Sequence, residues 1–567
     1  MTANAATVPA LRLKRASGLD AWVLRAAMVL LAAILVVGLV LPLATMLVKS
    51  FQDSRGAFAG LANYAVYFAT PALVGSIYNS LFIAAVTTAI TVLLAFLYAY
   101  ALSRTCMPGK GVFRTVAMIP LLAPSLLAAL SLIYMFGNQG FMKGLLFGHA
   151  IYGPIGIVIG LVFAIFPHAF IILGVALSLS DRRLYEAAES LGASKFKTFL
   201  TVTLPGAKYG LVSTSIVVFT HAVTDFGTPK VIGGNFDVLA TDVYKQVVGL
   251  QNFGMGAVVS VMLLLPAAIA CVIDRLAQRR QIAMLSTKVT PYEPKPHPFA
   301  DRLALAYCSL VAFAILGIVG VAAVGSFVKF WPYDLSFTLR NYNFDLYAGG
   351  GWMAYLNSLV LSLWVAVGGT AVVFFGAYLV EKTQELRGTR RVVQVLAILP
   401  MGVPGLVLGL SYIFFFNAPG NPLNFIYGTM AILVYSTIIH YYTVTHLTAM
   451  TALKQLDAEF EAVSDSLKSP RLRTFWRVTL PICTPALLDI SVYFFLNAMT
   501  TVSAVVFLYS VHTNLASISI LNMDDAGEYA PAVAMSMVIV VTCVAARLLH
   551  AFLTRGIHRR SQAWRRQ

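Results

Sequence analysis

The chain has 567 residues, of which 59% are hydrophobic and 11% are charged, and its mean hydropathy is +0.81. A soluble globular protein of this size could not solvate so much apolar surface, so the composition excludes that class and indicates a chain that lies mostly in lipid. The formal net charge of +17 would suggest a nucleic-acid partner in a soluble protein, so the placement of the charges has to be considered.

Apolar runs of about 20 residues, each long enough to cross a hydrocarbon core of roughly 30 Å, recur along the whole chain. Their apolar character is continuous, which predicts helices rather than the alternating strands of a barrel. The predicted spans are 26–48, 76–102, 112–136, 153–179, 208–228, 254–274, 302–328, 353–380, 391–416, 426–452, 484–508 and 530–552. The first run is too long for a signal peptide and is interpreted as a retained helix. The sequence therefore predicts an all-α polytopic membrane protein with about twelve transmembrane helices.

Lysine and arginine are concentrated on one side of this twelve-span arrangement. Of the 40 basic residues, 33 lie in the two termini and in five connecting segments that share a side. The other side keeps Lys49, Arg55, Lys143, Lys230, Lys245, Lys329 and Arg340. This is the positive-inside pattern, which places both termini in the cytoplasm of a bacterial inner membrane. The charge then needs no nucleic-acid partner.

An internal repeat with a shift of 276–280 residues divides the chain into two parallel halves. Asn79-Ser80-Leu81 recurs as Asn357-Ser358-Leu359, Arg104-Thr105 as Lys382-Thr383, and Pro120 and Pro124 as Pro400 and Pro404. The segment 184–205 matches 460–481, including the Val-Thr-Leu-Pro ending. Each half holds an even number of spans, so both halves take the same orientation and substrate is expected to cross between them.

The repeat and the composition define five predicted regions. They are a cytoplasmic tail (1–25), a first transmembrane domain (26–274), a cytoplasmic linker (275–301), a second transmembrane domain (302–552) and a cytoplasmic tail (553–567). The linker is polar and carries four prolines, which predicts an extended segment.

The loop between spans four and five is far longer than usual connections between packed helices. In the first half Ser180-Asp181 can cap a helix, and Gly192 is suited to end that helix in a left-handed conformation. A second amphipathic segment, from Lys195 to Val202, then leads to Leu204-Pro205. The pattern predicts a short exposed helix, a sharp turn and a return into the membrane.

This pattern resembles the EAA loop of binding-protein-dependent ABC importer permeases, with Glu-Ala-Ala, then Gly, an aliphatic residue and Leu-Pro. The first copy matches at Glu186, Ala187, Ala188, Gly192, Val202, Leu204 and Pro205. The second copy departs: it has Ala462, Val463 and Ser464 at the triplet and Lys468 at the glycine position, before Leu480 and Pro481. The resemblance implies that the short helix of each loop docks on an ATP-hydrolysing subunit.

The resemblance covers nearly the whole chain and implies a type I (MetI-like) permease fold with two fused domains. It further implies two copies of an ATPase subunit, a periplasmic solute-binding protein and surrounding lipid as partners. Because the chain has no Gly-rich Lys-Ser/Thr phosphate loop, ATP hydrolysis is expected in the separate subunit, and no cofactor or metal is expected. Two-domain permeases of this kind resemble the ferric iron, thiamine and 2-aminoethylphosphonate branch, and segment 223–249 is most similar to the 2-aminoethylphosphonate permeases.

Two other classes of membrane protein fit the sequence less well. A secondary transporter of six-plus-six design usually needs intramembrane charges, and here the spans contain chiefly Asp225 and Asp489. An intramembrane enzyme would need a metal or nucleophile site, but the spacing of the histidines matches no metal pair on one helical face. His168, His221, His440 and His446 are each expected to make an interhelical hydrogen bond, and the five cysteines are expected to be inert.

Two further expectations concern the membrane interior. Asp225, near the outer end of span five, is a hypothetical substrate-path residue, with Thr501 as its counterpart in the repeat. The alternative is an interhelical hydrogen bond or a position at the outer membrane interface. The repeated prolines are expected to kink the third span of each half.

Overall fold

The computed structural model describes residues 18–53, 55–178, 181–284, 292–383, 386–457, 459–467 and 469–561. The α-helices of the first half are Leu19–Leu35, Leu41–Ser50, Ala62–Ala69, Pro71–Arg104, Lys110–Ala117, Ser125–Phe136, Pro154–Ser178, Arg182–Ser190, Lys195–Thr198, Leu204–Thr224, Gly227–Ile232, Leu239–Tyr244 and Phe253–Met284. Those of the second half are Pro298–Gly325, Gly351–Trp364, Thr370–Lys382, Arg387–Leu396, Gly405–Phe416, Met430–His440, Tyr442–Lys454, Glu459–Ser466, Arg471–Thr474, Leu480–Ile482, Thr484–Thr500, Ala516–Asp525 and Tyr529–Ser561.

Shorter elements join these helices. The π-helical turns are Val36–Val40, Phe199–Thr203, Lys245–Gly249, Val365–Gly369 and Phe475–Thr479. The 3-10 turns are Ile119–Leu122, Lys143–Leu146, Arg340–Tyr342, Phe344–Leu346, Leu399–Gly402, Asn424–Ile426 and Val511–Thr513. An antiparallel hairpin of Val328–Phe330 and Asp334–Phe337, which the sequence did not predict, follows the first span of the second half.

The described residues contain eight straight helices that are long and apolar enough to cross a membrane, and up to eleven spans if three bent helix pairs are counted. These candidates match eleven of the predicted spans and confirm the predicted fold class. The remaining prediction, 426–452, corresponds to the shorter helix Met430–His440 and to Tyr442–Lys454, which are separated at Tyr441.

The prolines bend the third span of each half, as predicted. The bend is 101° between Lys110–Leu122 and Ser125–Phe136, and 116° between Arg387–Gly402 and Gly405–Phe416. Ala123, which precedes Pro124, has an extended backbone because a proline ring disfavours the helical conformation of the residue before it. The first arm of each bent pair therefore does not continue the direction of its second arm.

The predicted region boundaries differ from the helix ends. Helix Phe253–Met284 continues ten residues into the predicted linker, and helix Pro298–Gly325 begins four residues before the predicted second domain. The polar residues after 274 end the apolar run but are good helix formers, so the helix continues beyond the lipid. Residues 292–297 have no regular structure, and 285–291 lie outside the described residues. At the termini, helices begin at Leu19 and end at Ser561, so the described parts of both tails are helical.

The first span of each half packs against the other half. The Tyr412 hydroxyl, in the second half, donates to the Gly38 carbonyl oxygen at 2.8 Å, and the Tyr307 hydroxyl donates to the Leu94 carbonyl oxygen at 2.8 Å. Because the first span of each half contacts the other half, these spans join the two halves.

The repeated Asn-Ser pair has a structural role in both halves. Ser80 accepts the backbone N–H of Leu239 at 2.8 Å, and Ser358 accepts that of Ala516 at 2.8 Å. The preceding Asn79 and Asn357 donate to backbone carbonyls of the same segments. The repeat therefore fixes, in each half, the segment that follows span five.

The molecule has two faces at opposite ends of the spans. The loop face carries residues 181–203 (the first loop) and 459–479 (the second loop), with Lys468 outside the described residues. The far face carries the segments 227–249 and 501–525, at the opposite end of span five.

Candidate functional site

The first loop begins with a capped helix that ends at a glycine turn. The Asp181 carboxylate accepts the N–H of Arg183 at 3.0 Å at the start of helix Arg182–Ser190. Gly192 has φ +70°, and the N–H groups of Gly192 and Ala193 donate to the carbonyls of Glu189 and Ala188 at 3.0 Å. These two bonds form a Schellman motif, so the predicted left-handed turn at Gly192 is confirmed.

The second loop keeps part of this geometry although its sequence departs from the pattern. The Ser469 N–H donates to the Ser464 carbonyl at 3.0 Å, which is the bond that Ala193 makes to Ala188 in the first loop. Lys468 itself lies outside the described residues. Helix Glu459–Ser466 is therefore closed by the same long bond as its counterpart.

Each loop helix is held at its base by a residue from the end of span two. Arg104 lies over the rings of Tyr185 and Tyr292, at 5.1 and 4.5 Å from their centroids. In the second half Lys382 forms a 2.6 Å ion pair with Glu461, and these side chains are 10% and 21% exposed. The repeated Arg104 and Lys382 thus fix the two loop helices with different chemistry.

The repeated Leu-Pro forms the junction between each loop and span five. A proline has no N–H and its ring crowds the carbonyl four residues earlier, so a regular α-turn cannot continue through it. Just before Leu204-Pro205 the chain makes a π-helical turn, Phe199–Thr203, and just before Leu480-Pro481 it makes another, Phe475–Thr479. In the first half the helix continues straight from Lys195 to Thr224, whereas in the second it bends by 76° after Ile482.

Apolar side chains are exposed at matching positions on both loops. The pairs, related by a shift of 276, are Leu184 and Phe460, Leu191 and Leu467, and Leu200 and Trp476. Leu191 is 86% exposed and Leu467 is 75% exposed. Leu184, Leu191, Phe460 and Leu467 precede the helices that enter the membrane, and exposed apolar side chains at such positions are typical of a protein–protein contact surface.

The predicted motif residues divide between this surface and its support. Glu186 is exposed and pairs with Arg182 at 2.7 Å, and Ala187 is exposed, whereas Ala188 is buried against the protein. In the second loop Val463 is exposed, Ala462 is half-buried, and the Ser464 hydroxyl hydrogen-bonds to that of Thr474.

The end of the linker lies along the first loop helix, which the sequence did not predict. Glu293 pairs with Arg182 at 3.2 Å, and Lys295 pairs with Glu189 at 2.9 Å. The Tyr292 ring packs on Tyr185 with centroids 4.5 Å apart. The alternating charges of the linker could have suggested a partner helix, but nothing in the local sequence identifies which helix.

The second loop is instead supported by the N-terminal helix. The Asp20 carboxylate accepts the N–H of Arg471 at 2.8 Å, at the start of helix Arg471–Thr474. The residue at the cap position is Pro470, which has no side-chain acceptor, whereas Ser194 caps the matching helix of the first loop. Asp20, 451 residues earlier in the chain, replaces the missing cap.

Three imidazoles mark the interface between the halves. The His168 and His221 rings lie 5.0 Å apart, and His221 is exposed although it lies inside helix Leu204–Thr224. His440, from the second half, is an electrostatic neighbour of His221.

The buried Nδ1 atoms of His168, His440 and His446 have no hydrogen-bond partner within the described part of the chain. These three nitrogens therefore do not make the expected interhelical hydrogen bonds, and a bond through the other ring nitrogen stays a prediction. Among the described residues, no three His, Cys, Asp or Glu side chains are arranged to hold a metal ion.

Asp225 and Thr501 occupy equivalent positions at the far end of span five. Their backbones agree closely, with φ/ψ of −67°/133° and −68°/137°. The half-buried Asp225 carboxylate accepts the N–H of Thr228 at 2.9 Å, whereas Thr501 is buried and its carbonyl accepts the Ser517 hydroxyl at 2.5 Å. The Asp225 carboxylate thus makes a local hydrogen bond to the first turn of the next short helix, Gly227–Ile232, and a role in the substrate path stays a prediction.

A second intramembrane acid, Asp489, belongs to a repeated polar pair. Asp489 lies 3.0 Å from His550, and at the same positions in the first half Ser213 donates to Asp274 at 2.8 Å. Both pairs join span five to span six, and they take opposite arrangements of acid and partner.

The far face joins the halves across a cavity. The Lys230 ammonium pairs with Asp525 at 2.8 Å and lies 5.3 Å from the Tyr244 ring centroid. A cavity of about 630 Å³ is lined by residues of both halves, including Tyr244, Phe507 and Asn514. The chain is therefore a duplicated helical membrane protein with matched loops on one face and a cavity between the halves on the other.

The duplicated membrane fold agrees with comparisons to known proteins. The family model of binding-protein-dependent transport system inner membrane components matches residues 107–282 and 372–559, together more than half of the chain. The chain belongs to this family, and it is an ABC permease that functions with an ATPase and a solute-binding protein. Membership of this family favours the ABC permease interpretation over a secondary transporter of six-plus-six design.

Similar proteins carry several transport names. The chain is 29% identical to the ferric transport system permease protein FbpB of Actinobacillus pleuropneumoniae over 493 residues, which are 83% of this chain and 70% of that protein. It is 28% identical to the putative ferric transport system permease protein FbpB 1 of Haemophilus influenzae over 461 residues, 78% of this chain and 71% of that protein. The probable sulfate transport system permease protein cysT of Nephroselmis olivacea is 28% identical over 244 residues, 41% of this chain and 81% of that protein.

Proposed function

We propose that this chain forms the complete membrane path of an ABC importer, with one ATPase subunit docked on each of its two loops. The observation that carries the proposal is the pair of exposed apolar surfaces in matching register, represented by Leu191 and Leu467. Two identical ATPase subunits require two similar surfaces on one permease chain, and these loops supply them. ATP hydrolysis belongs to the docked subunits.

The loop face is the cytoplasmic face in this proposal, and the far face receives the solute-binding protein. The basic residues concentrated on the loop face support this orientation. The far-face cavity between the halves is then the first chamber that a released cargo meets, with Lys230 and Asp525 closing the space beside it.

Ferric iron is the proposed cargo. Two long relatives, which match 83% and 78% of this chain, have names that assign them to ferric transport. The second candidate is 2-aminoethylphosphonate, which the likeness of segment 223–249 to the phosphonate permeases favours. Uptake of radiolabelled iron and of 2-aminoethylphosphonate by cells with and without the chain separates the two cargoes.

Docking is tested by native mass spectrometry of the detergent-solubilised chain with its ATPase subunit. We expect one chain with two ATPase subunits. The double variant Leu191→Asp/Leu467→Asp places a charge in both apolar surfaces and should lose both subunits. Val511→Asp, at a residue that is 91% exposed on the far face, is the control and should keep them. Retention of both subunits by the double loop variant would refute docking at the loops.

A further inference from the structure

Helix Arg387–Leu396, the first arm of the bent third span in the second half, has three distinct sides. Val393 and Leu396 are buried against the protein. Val392 and Val395 are exposed on a second side. The third side carries Arg387, Arg390, Arg391 and Gln394, which line a cavity of about 320 Å³.

The direction of this helix places it at the membrane surface. It turns by 116° away from Gly405–Phe416, the apolar arm that enters the membrane. An amphipathic helix in this position lies along the boundary between headgroups and acyl chains, with its apolar side toward lipid and its basic side toward water. Its place directly after span two puts it on the loop face.

The three guanidinium groups have few partners in the protein. Arg390 donates to the Thr383 carbonyl oxygen at 3.3 Å. Within the described residues, no carboxylate lies within ion-pair distance of Arg387, Arg390 or Arg391. Three cations in such proximity repel one another, so an anion bound among them would be stabilised.

The neighbouring side chains indicate what kind of anion fits. A guanidinium binds phosphate oxygens through two parallel hydrogen bonds. The exposed Val392 and Val395 stand beside the arginines on the same helix and would contact a hydrocarbon chain. We propose that Arg387, Arg390 and Arg391 form a binding site for the phosphate headgroup of an anionic phospholipid, whose acyl chain packs along the valine side.

The first half lacks this arrangement. At the repeat shift of 280 set by Pro120 and Pro400, the three arginines correspond to Met107, Lys110 and Gly111. The matching helix Lys110–Ala117 thus keeps one of the three cations and carries a further one, Arg114, at the position of Gln394. The cluster of three arginines is specific to the second half, and Lys110 provides a control for the effect of removing a single basic residue from the matching helix.

The test is native mass spectrometry of the full chain released from nanodiscs that contain phosphatidylglycerol and phosphatidylcholine. The triple variant Arg387→Gln/Arg390→Gln/Arg391→Gln should retain phosphatidylglycerol at least about tenfold less well than the wild type, because each lost charge weakens attraction to an anionic headgroup. Lys110→Gln should retain it as the wild type does. Phosphatidylcholine retention should not change in any variant.

Three results would overturn the proposal. Equal phosphatidylglycerol retention by the triple variant and the wild type would show that the arginines do not hold lipid. Competition by millimolar inorganic phosphate that abolishes the difference would identify a free phosphate site. Loss of the ATPase subunit from the triple variant, with phosphatidylglycerol retention unchanged, would show that the basic side meets the ATPase instead.

Discussion

Gly192 shows how one residue controls the geometry of the first loop. Its φ of +70° is a conformation that residues with a β-carbon adopt at a cost, and two hydrogen bonds of the Schellman motif depend on it. A β-carbon built at Gly192 would meet no atom within 4 Å, so the constraint comes from the backbone and not from packing.

Because the constraint at Gly192 comes from the backbone, substitutions at this position test the left-handed turn alone. Gly192→Val should strain the turn by about 1–3 kcal/mol, because a β-branched residue is rarely left-handed, and should strongly reduce ATPase association. Gly192→Asn should be mild, since asparagine tolerates that conformation. Pull-down of the ATPase subunit measures its association with each of the two variants. Equal association of the two variants would mean that the left-handed turn is not required.

Substitutions that change the charge at the motif positions compare the two loops as docking surfaces. Glu186→Lys reverses a charge on the exposed surface of the first loop helix and should impair docking, whereas Lys468→Ala should be mild because that position already departs from glycine. Ala462→Lys adds a charge at the position aligned with Glu186 and tests whether the second loop depends on the same surface. The same pull-down compares the three variants, and normal association of Glu186→Lys would contradict the expectation.

Two substitutions separate the effect of the Asp225 charge from the effect of its hydrogen bond to Thr228. Asp225→Asn keeps an oxygen that can accept the Thr228 N–H but removes the charge, so normal expression and uptake are expected. Asp225→Ala removes this hydrogen bond and should cost about 0.5–1.5 kcal/mol of stability, visible as a lower melting temperature. If Asp225→Asn abolishes uptake while the amount of protein is normal, the carboxylate is used by the substrate path.

At the scale of elements, the linker and the first loop helix form one unit. Lys295 contacts both carboxylate oxygens of Glu189, at 3.0 and 2.9 Å, and both side chains are exposed. Exposed pairs are screened by water and stabilise a fold only weakly, so this contact positions the linker without strongly stabilising the fold.

A charge swap tests whether this pair positions the linker. Lys295→Glu should speed amide hydrogen exchange of residues 292–297 by up to about fivefold, because it replaces the attraction to Glu189 with repulsion. The double variant Glu189→Lys/Lys295→Glu should restore the slower exchange. Unchanged exchange in the single variant, or no recovery in the double variant, would show that the linker is held by its other contacts.

The spans, the proline bends and the helix–turn pattern of the first loop could be predicted from sequence because each depends on neighbours in the chain. Apolar length predicts a span, and Pro124 and Gly192 act on their own backbone. The linker contacts with Arg182 and Glu189, and the Asp20 cap on Arg471, join residues more than 100 positions apart, and no local pattern specifies such partners. The exposed Leu191 and Leu467 became recognisable as a surface when the fold showed which side chains remained uncovered.

For the whole molecule, the described chain ends lie on the same face. Asp20 contacts the second loop, and helix Tyr529–Ser561 ends on the loop face after an even number of predicted spans. The excess of basic residues there predicts that this face is cytoplasmic. Reporter fusions after Gln567 and at Gly350 should therefore report opposite sides of the membrane. The same orientation at both positions would contradict the topology.

We propose that ATP hydrolysis in the separate subunit is coupled to transport through the two loops. ATP hydrolysis by the complex in proteoliposomes, with and without cargo-loaded binding protein, measures this coupling. We expect stimulation with the wild-type chain and none with Leu191→Asp/Leu467→Asp at equal amounts of inserted chain. Full stimulation with the double variant would contradict coupling through the loops. ATP hydrolysis by the purified chain without an ATPase subunit would contradict the assignment of hydrolysis to a separate subunit.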